Sequence, residues 1–177
     1  MKTLLNDGQL DITLQRLAHQ LAENHLSFEN TAIIGLQPRG IFLSDRIVKL
    51  VKKITGNKHI DYGKLDITFY RDDVHSSEIH VPMGTDIPFS IEGRNVILID
   101  DVLHTGRTIR SAMDALIDFG RPKKVELLVL IDRRFSRELP VQPDYAGQTV
   151  DTILSQKVIV YWKEKDGKDE VVLIDKI

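Results

Sequence analysis

The stretch Asn95-Val-Ile-Leu-Ile-Asp-Asp101 constrains this chain more than any other, because four successive apolar residues run straight into two adjacent carboxylates. A strand with one wet face alternates apolar and polar residues, whereas one that is apolar at every position needs cover on both faces. Helices supply such cover, so the segment predicts a central strand of an α/β sheet.

The flanking sequence fits that prediction. Leu10, Leu14, Leu17 and Leu21 form the stripe of an amphipathic helix over residues 8–26, with Asn6 or Asp7 at its cap. Residues 31–36 form a short apolar run that stops at Gln37-Pro38-Arg39-Gly40, and Leu43, Ile47, Leu50, Val51 and Ile54 then restore helical spacing until Gly56. Residues 65–70 alternate as a strand does. Residues 71–84 are polar and without period, which predicts a long mobile loop of the kind that serves binding. A helix over 108–119 ends at Gly120-Arg121-Pro122, and 125–131 is a second buried-strand run. Strands over 157–162 and 170–174 flank Lys165-Asp-Gly-Lys168, a strong hairpin signal. The predicted fold is α/β, a mainly parallel sheet flanked by helices with a C-terminal antiparallel hairpin, in one domain over 1–177.

Composition narrows the function classes. The chain has 177 residues, enough to bury roughly 70% of its extended surface without disulfide or metal staples. It has no cysteine, which excludes thiol catalysis, Cys-ligated zinc and iron–sulfur clusters and points to a cytoplasmic location. No secretory leader or membrane span is expected. The formal net charge of −2 supplies no global field for a polyanion. Arg121, Lys123, Lys124, Arg133, Arg134 and Arg137 cluster locally, but Glu126, Asp132 and Glu138 dilute them, so a solvated face explains them equally well.

Phosphate chemistry must therefore be local, and the place for it is Val96-Ile-Leu-Ile-Asp-Asp-Val-Leu-His-Thr-Gly-Arg-Thr108. Ligands of open α/β sheets bind beyond the carboxyl ends of the strands. There the turn Thr105-Gly-Arg-Thr108 opens a helix whose first amides attract an anion. Gly106 permits close backbone approach, the hydroxyls of Thr105 and Thr108 can donate, and Arg107 adds charge. Asp100 and Asp101 can accept from neighbouring hydroxyls where the strand relaxes into the turn, so a phosphate beside a diol reads as a ribose 5-phosphate. The plainer alternative is that one aspartate caps the turn and Thr108 caps the helix. Neither a P-loop nor a dinucleotide glycine motif is present.

At these 13 positions the sequence resembles the type I phosphoribosyltransferase family, whose signature is an apolar strand, two acids and a Thr-Gly-x-Thr loop. Further segments are similar to the branch of that family that joins uracil phosphoribosyltransferase activity to attenuation of pyrimidine operons. They include Arg16-Leu-Ala-His19, Arg39-Gly-Ile41, Leu65-Asp-Ile-Thr-Phe-Tyr-Arg-Asp-Asp73, Asp86-Ile-Pro88, Gly120-Arg-Pro122 and Arg137-Glu-Leu-Pro140. The resemblance implies the type I phosphoribosyltransferase fold and transfer from phosphoribosyl pyrophosphate (PRPP) to uracil, giving UMP. Mg2+ would be carried by PRPP, with no direct protein metal site. It assigns PRPP binding to Arg39, Gly40, Asp100, Asp101, Leu103, His104, Thr105, Gly106, Arg107 and Thr108, and catalysis to Asp100, Asp101 and Arg71. Asp132 and Arg133 would meet the base, and His19 and Arg137 would meet RNA. UMP or UTP would be sensed in the same pocket, and the chain would be a homodimer or higher oligomer. A sister activity on another nucleobase is the remaining alternative. The sequence departs from that branch at Asp132-Arg-Arg-Phe-Ser-Arg-Glu-Leu-Pro140, one residue longer and without its glycine and histidine.

Overall fold

The computed structural model describes residues 1–71, 82–153 and 155–175. Most of the predicted loop falls on 72–81, outside the described residues. The chain runs β1 (Lys2–Leu5), α1 (Asp7–His25), β2 (Thr31–Leu36), α2 (Gly40–Thr55), β3 (Asp61–Leu65), β4 (Asn95–Leu103), α3 (Arg107–Leu116), β5 (Lys124–Arg134), β6 (Tyr145–Asp151), β7 (Gln156–Tyr161), a helical turn α4 (Lys163–Asp166) and β8 (Glu170–Asp175). Helix α1 starts where its capping box dictates. Asn6 Oδ1 accepts the Gln9 amide at 2.9 Å and Gln9 Oε1 accepts the Asn6 amide at 3.0 Å.

Five strands form a parallel sheet in the order β3-β2-β4-β5-β6, so the predicted central strand β4 is the middle one. Its two faces are buried differently. Ile97 and Ile99 join a core with Leu14, Leu17 and Leu21 of α1 and Leu43, Ile47 and Val51 of α2. Val96 and Leu98 join Ile109, Ala112, Ala115 and Leu116 of α3 in the second core. Helices on both faces explain the absence of alternation in the sequence of β4.

One expectation needs correction, and the structure adds two features to the rest. Residues 65–70 are not a strand: β3 ends at Leu65 and a 3-10 turn occupies Thr68–Tyr70, pinned by Asp66, whose carboxylate accepts the Thr68 amide and hydroxyl. Strand β6 carries only a weak apolar pattern, Tyr145 and Val150 being its two buried residues, and periodicity did not reveal it. The C-terminal hairpin is the larger part of a three-stranded antiparallel sheet, β1-β8-β7, completed by the N-terminal residues. This small sheet is fastened over α2. Arg46 donates to both carboxylate oxygens of Glu164 and of Asp169, and its guanidinium lies 5.0 Å from the Trp162 ring centre.

A close approach sets the distance of α2 from the sheet. A Cβ on Gly35 would stand 2.0 Å from Ser44 Oγ and 2.9 Å from Ser44 Cβ. Gly35→Ala is expected to cost about 1–3 kcal/mol through overpacking, read as a lower urea midpoint. Adding Ser44→Ala, which removes the nearest atom, should recover part of that loss.

Candidate active site

Two loops meet at the carboxyl end of the parallel sheet. The first, Gln37–Arg39, joins β2 to α2 through a cis Gln37-Pro38 bond. The second, His104–Gly106, joins β4 to α3. Neither Arg39 nor Gly106 caps its helix with a side chain, though Thr105 Oγ1 accepts the Arg107 amide at 3.3 Å, and the other opening amides lie near the carboxyl end of the sheet. Gly106 holds φ at 94°, in the left-handed region that a side chain disfavours. Gly40 is needed for a different reason. A Cβ there would fall 2.7 Å from the Ile99 carbonyl and 3.0 Å from Asp100 Cα, so only glycine lets the first loop press against β4.

Asp100 and Asp101 do not sit in a turn, as the sequence suggested. Strand β4 continues to Leu103, and both carboxylates lie within it, each residue 8% exposed. Pleating sends them to opposite sides. Asp100 accepts the Asp101 amide at 2.9 Å and lines a cavity of about 250 Å³ on the α3 side. Asp101 faces the first loop, where its Oδ2 stands 3.5 Å from Arg39 Nε. Burial pushes the Asp100 carboxyl well up and the charge on Asp101 adds to this, while Arg71 opposes it. Burial also raises Asp101, against the pull of Arg39.

The cavity gathers much of the set read from sequence. Arg71, Asp100, Leu103, His104, Thr105, Gly106, Arg107 and Thr108 all line it. Val102, Ile109 and Glu138 line it as well. Glu138 was missed as a site residue, and the available signal was its place in Arg137-Glu-Leu-Pro140. It pairs with Arg107 at 2.7 Å, while the Glu138 and Leu139 amides donate to the Thr105 carbonyl at 2.9 and 3.1 Å. Arg39 is outside this cavity and reaches toward the small sheet.

A second, broader cavity of about 720 Å³ adjoins it, lined by Asp132, Arg134, Phe135, Arg137, Gln142 and Thr149 among others. The structure separates the two residues expected to meet a base. Asp132 lines this cavity, whereas Arg133 is 3% exposed and turns away to donate to Thr152 Oγ1 at 3.0 Å and the Gln156 carbonyl at 2.8 Å. Of the two residues expected to meet RNA, His19 is exposed on α1. Arg137 is turned inward and binds Asp132 and the His104 carbonyl. Phe135 was not singled out as a site residue: it is 80% exposed and holds a φ of 64°.

Comparison with known proteins decides the lineage. A model of the phosphoribosyl transferase domain matches residues 1–165. A protein of Elusimicrobium minutum called bifunctional protein PyrR is 47% identical, covering 99% of this chain and 98% of its own. The chain belongs to the phosphoribosyltransferase family, in its PyrR branch. Proteins named bifunctional protein PyrR from a Picosynechococcus species and Bacillus mycoides are 42% and 41% identical, each covering at least 96% of both chains. Among solved structures, a Staphylococcus aureus hypoxanthine phosphoribosyltransferase superposes with a TM-score of 0.72 at 18% identity, covering 96% of this chain and 90% of that one. A Trypanosoma cruzi hypoxanthine phosphoribosyltransferase gives 0.71 at 16%, covering 100% and 98%. At such identities the agreement establishes the fold of this chain as that of phosphoribosyltransferases and nothing narrower.

The raised Asp100 carboxyl carries a stability consequence. At neutral pH its ionised form is disfavoured in the folded chain, so Asp100→Asn should raise Tm by about 2–4 °C, the response of a chain this size to ~1 kcal/mol. The gain should shrink as pH falls and the wild-type carboxyl takes up its proton. Melting curves at pH 8 and pH 5 check both points.

Proposed function

We propose that this protein is a uracil phosphoribosyltransferase that converts uracil and PRPP to UMP and pyrophosphate. The observation that supports the reading most strongly is the 250 Å³ cavity, in which two acids, two arginines and the start of α3 surround one small polar space. A ribose 5-phosphate matches those groups. Its phosphate would take the amides and hydroxyls of residues 105–108 and its hydroxyls would donate to Asp100, while Asp101 would act from the other face of β4 beside Arg39.

Cleavage of the bond between C1 and pyrophosphate develops positive charge on the ribose ring and negative charge on the leaving group. Asp100 beside the ring, with the charge of Asp101 across the strand, would stabilise the former. Arg39 and the amides of Gln37–Gly40 would receive the latter, with Arg71 closing from the other side and excluding water. Asp100 and Asp101 are hard oxygen donors, and they fit a Mg2+ ion held mainly by PRPP oxygens and water. When bound, Mg2+ would supply charge neutralisation on the pyrophosphate. The base would sit toward the broader cavity, near Asp132. We place the protein in the cytoplasm as a homodimer or higher oligomer, in keeping with its lack of cysteine and its family.

The name of the relatives, bifunctional protein, favours a second function at 40–47% identity over nearly the whole chain. We infer that it is attenuation of pyrimidine genes by RNA binding, with UMP or UTP as the sensed ligand. The broader cavity supports this with Arg134 and the exposed Phe135 ring, a guanidinium and an aromatic face of the kind that stacks on unpaired bases.

Uracil-dependent release of pyrophosphate from PRPP tests the enzyme reading. Asp101→Asn should lower kcat by about 100-fold or more while the chain stays folded, since the lost charge serves the reacting ring. Full activity in that variant would refute its role. Arg71→Ala should slow turnover about 10-fold or more without lowering Tm. For the RNA function, binding of a pyrimidine leader transcript should strengthen with UMP and weaken steeply with salt. Binding insensitive to UMP would count against attenuation.

A further inference from the structure

Arg39 is tied into its loop from two directions, and one tie comes from the far end of the chain. On the sheet side its Nε faces Asp101 Oδ2 at 3.5 Å. On the other side one Nη donates to the Val160 carbonyl of β7 and stands 3.4 Å from Asp166 Oδ2 at the end of α4. The same Asp166 oxygen accepts the Trp162 amide at 2.9 Å, which closes the α4 turn. Asp166 is therefore a turn-closing group and a counter-charge at once. The second Nη of Arg39 makes no hydrogen bond with any described residue.

This arrangement has a geometric consequence. A guanidinium is a planar fork, so fixing two of its nitrogens fixes the direction of the third. With Asp101 at Nε and both Asp166 and the Val160 carbonyl at one Nη, the fork cannot turn without loosening one of these contacts. Gly40, the next residue, is pressed against β4 and denies the backbone a compensating shift.

We propose that Asp166 is a positioning residue for the pyrophosphate site: it holds the Arg39 fork so that the remaining Nη is presented to the leaving group of PRPP. The assignment rests on the reading of Arg39 as a pyrophosphate-loop residue given above. It gives the small antiparallel sheet a part in binding PRPP, separate from any contact with the base.

The test is calorimetric titration of PRPP with Mg2+ into the full chain, together with steady-state kinetics in PRPP and uracil. Asp166→Asn keeps an acceptor for the Trp162 amide and removes only the charge. It should weaken PRPP about 5- to 20-fold in both Kd and KM and leave the uracil KM within about twofold, with partial recovery in Asp166→Glu. Asp166→Ser replaces it if the asparagine variant does not fold. Glu164→Gln is the control, since it loosens the same turn through Arg46 without touching Arg39, and it should leave PRPP binding unchanged. Failure of the wild-type chain to bind PRPP removes the functional reading and this inference together. Normal wild-type binding with an unaffected Asp166→Asn, or with equal losses in Asp166→Asn and Glu164→Gln, removes the inference alone.

Discussion

Two adjacent carboxylates buried in the middle strand of a parallel sheet are the constraint around which this structure is arranged. Moving a carboxylate out of water costs several kcal/mol unless it is paired or protonated, and here two do so side by side. Their neighbourhood answers unequally. Asp101 has Arg39 close at hand, whereas Asp100 has an amide, the more distant help of Arg71 and an open cavity. A core designed for stability alone would not contain Asp100. Its retention is intelligible if a ligand supplies the missing partners, and the polar cavity beside it is where such a ligand fits.

The two cavities are joined by the segment that follows β5. Arg137 binds both Asp132 in the broader space and the His104 carbonyl at the edge of the smaller one, and Glu138 braces Arg107. One short run of chain thus forms part of both walls. In this segment Phe135 adopts a left-handed backbone with its ring in water. Strain of about 1–3 kcal/mol at a non-glycine residue is usually kept where a side chain must be shown outward.

Sequence reading reached the parts governed by strong local rules. The stripe of α1, a cap at Asn6 or Asp7, the apolar runs of β2, β4 and β5 and the acid–acid–turn segment were all visible because period, capping and burial leave direct marks. It failed where pairing is long-range. Strand β1 has only four residues and is defined by its partner, and β6 is recognisable only beside β5. The opposite directions of Asp100 and Asp101 were hidden because a two-residue motif does not tell where pleating stops. Arg133 was misplaced for the same reason: a strand carried on to Arg134 turns it inward, away from Asp132.

The pairing of β1 with β8 also fixes the order in which the molecule can be finished. Lys2 lies opposite Leu173, so β1 must wait for a partner strand made much later than itself. The five-stranded sheet can assemble before β7 and β8 are made, so the strands that fasten Arg39 join it late. A nascent or truncated chain would carry the acids and the sugar-phosphate turn with that arginine still untethered.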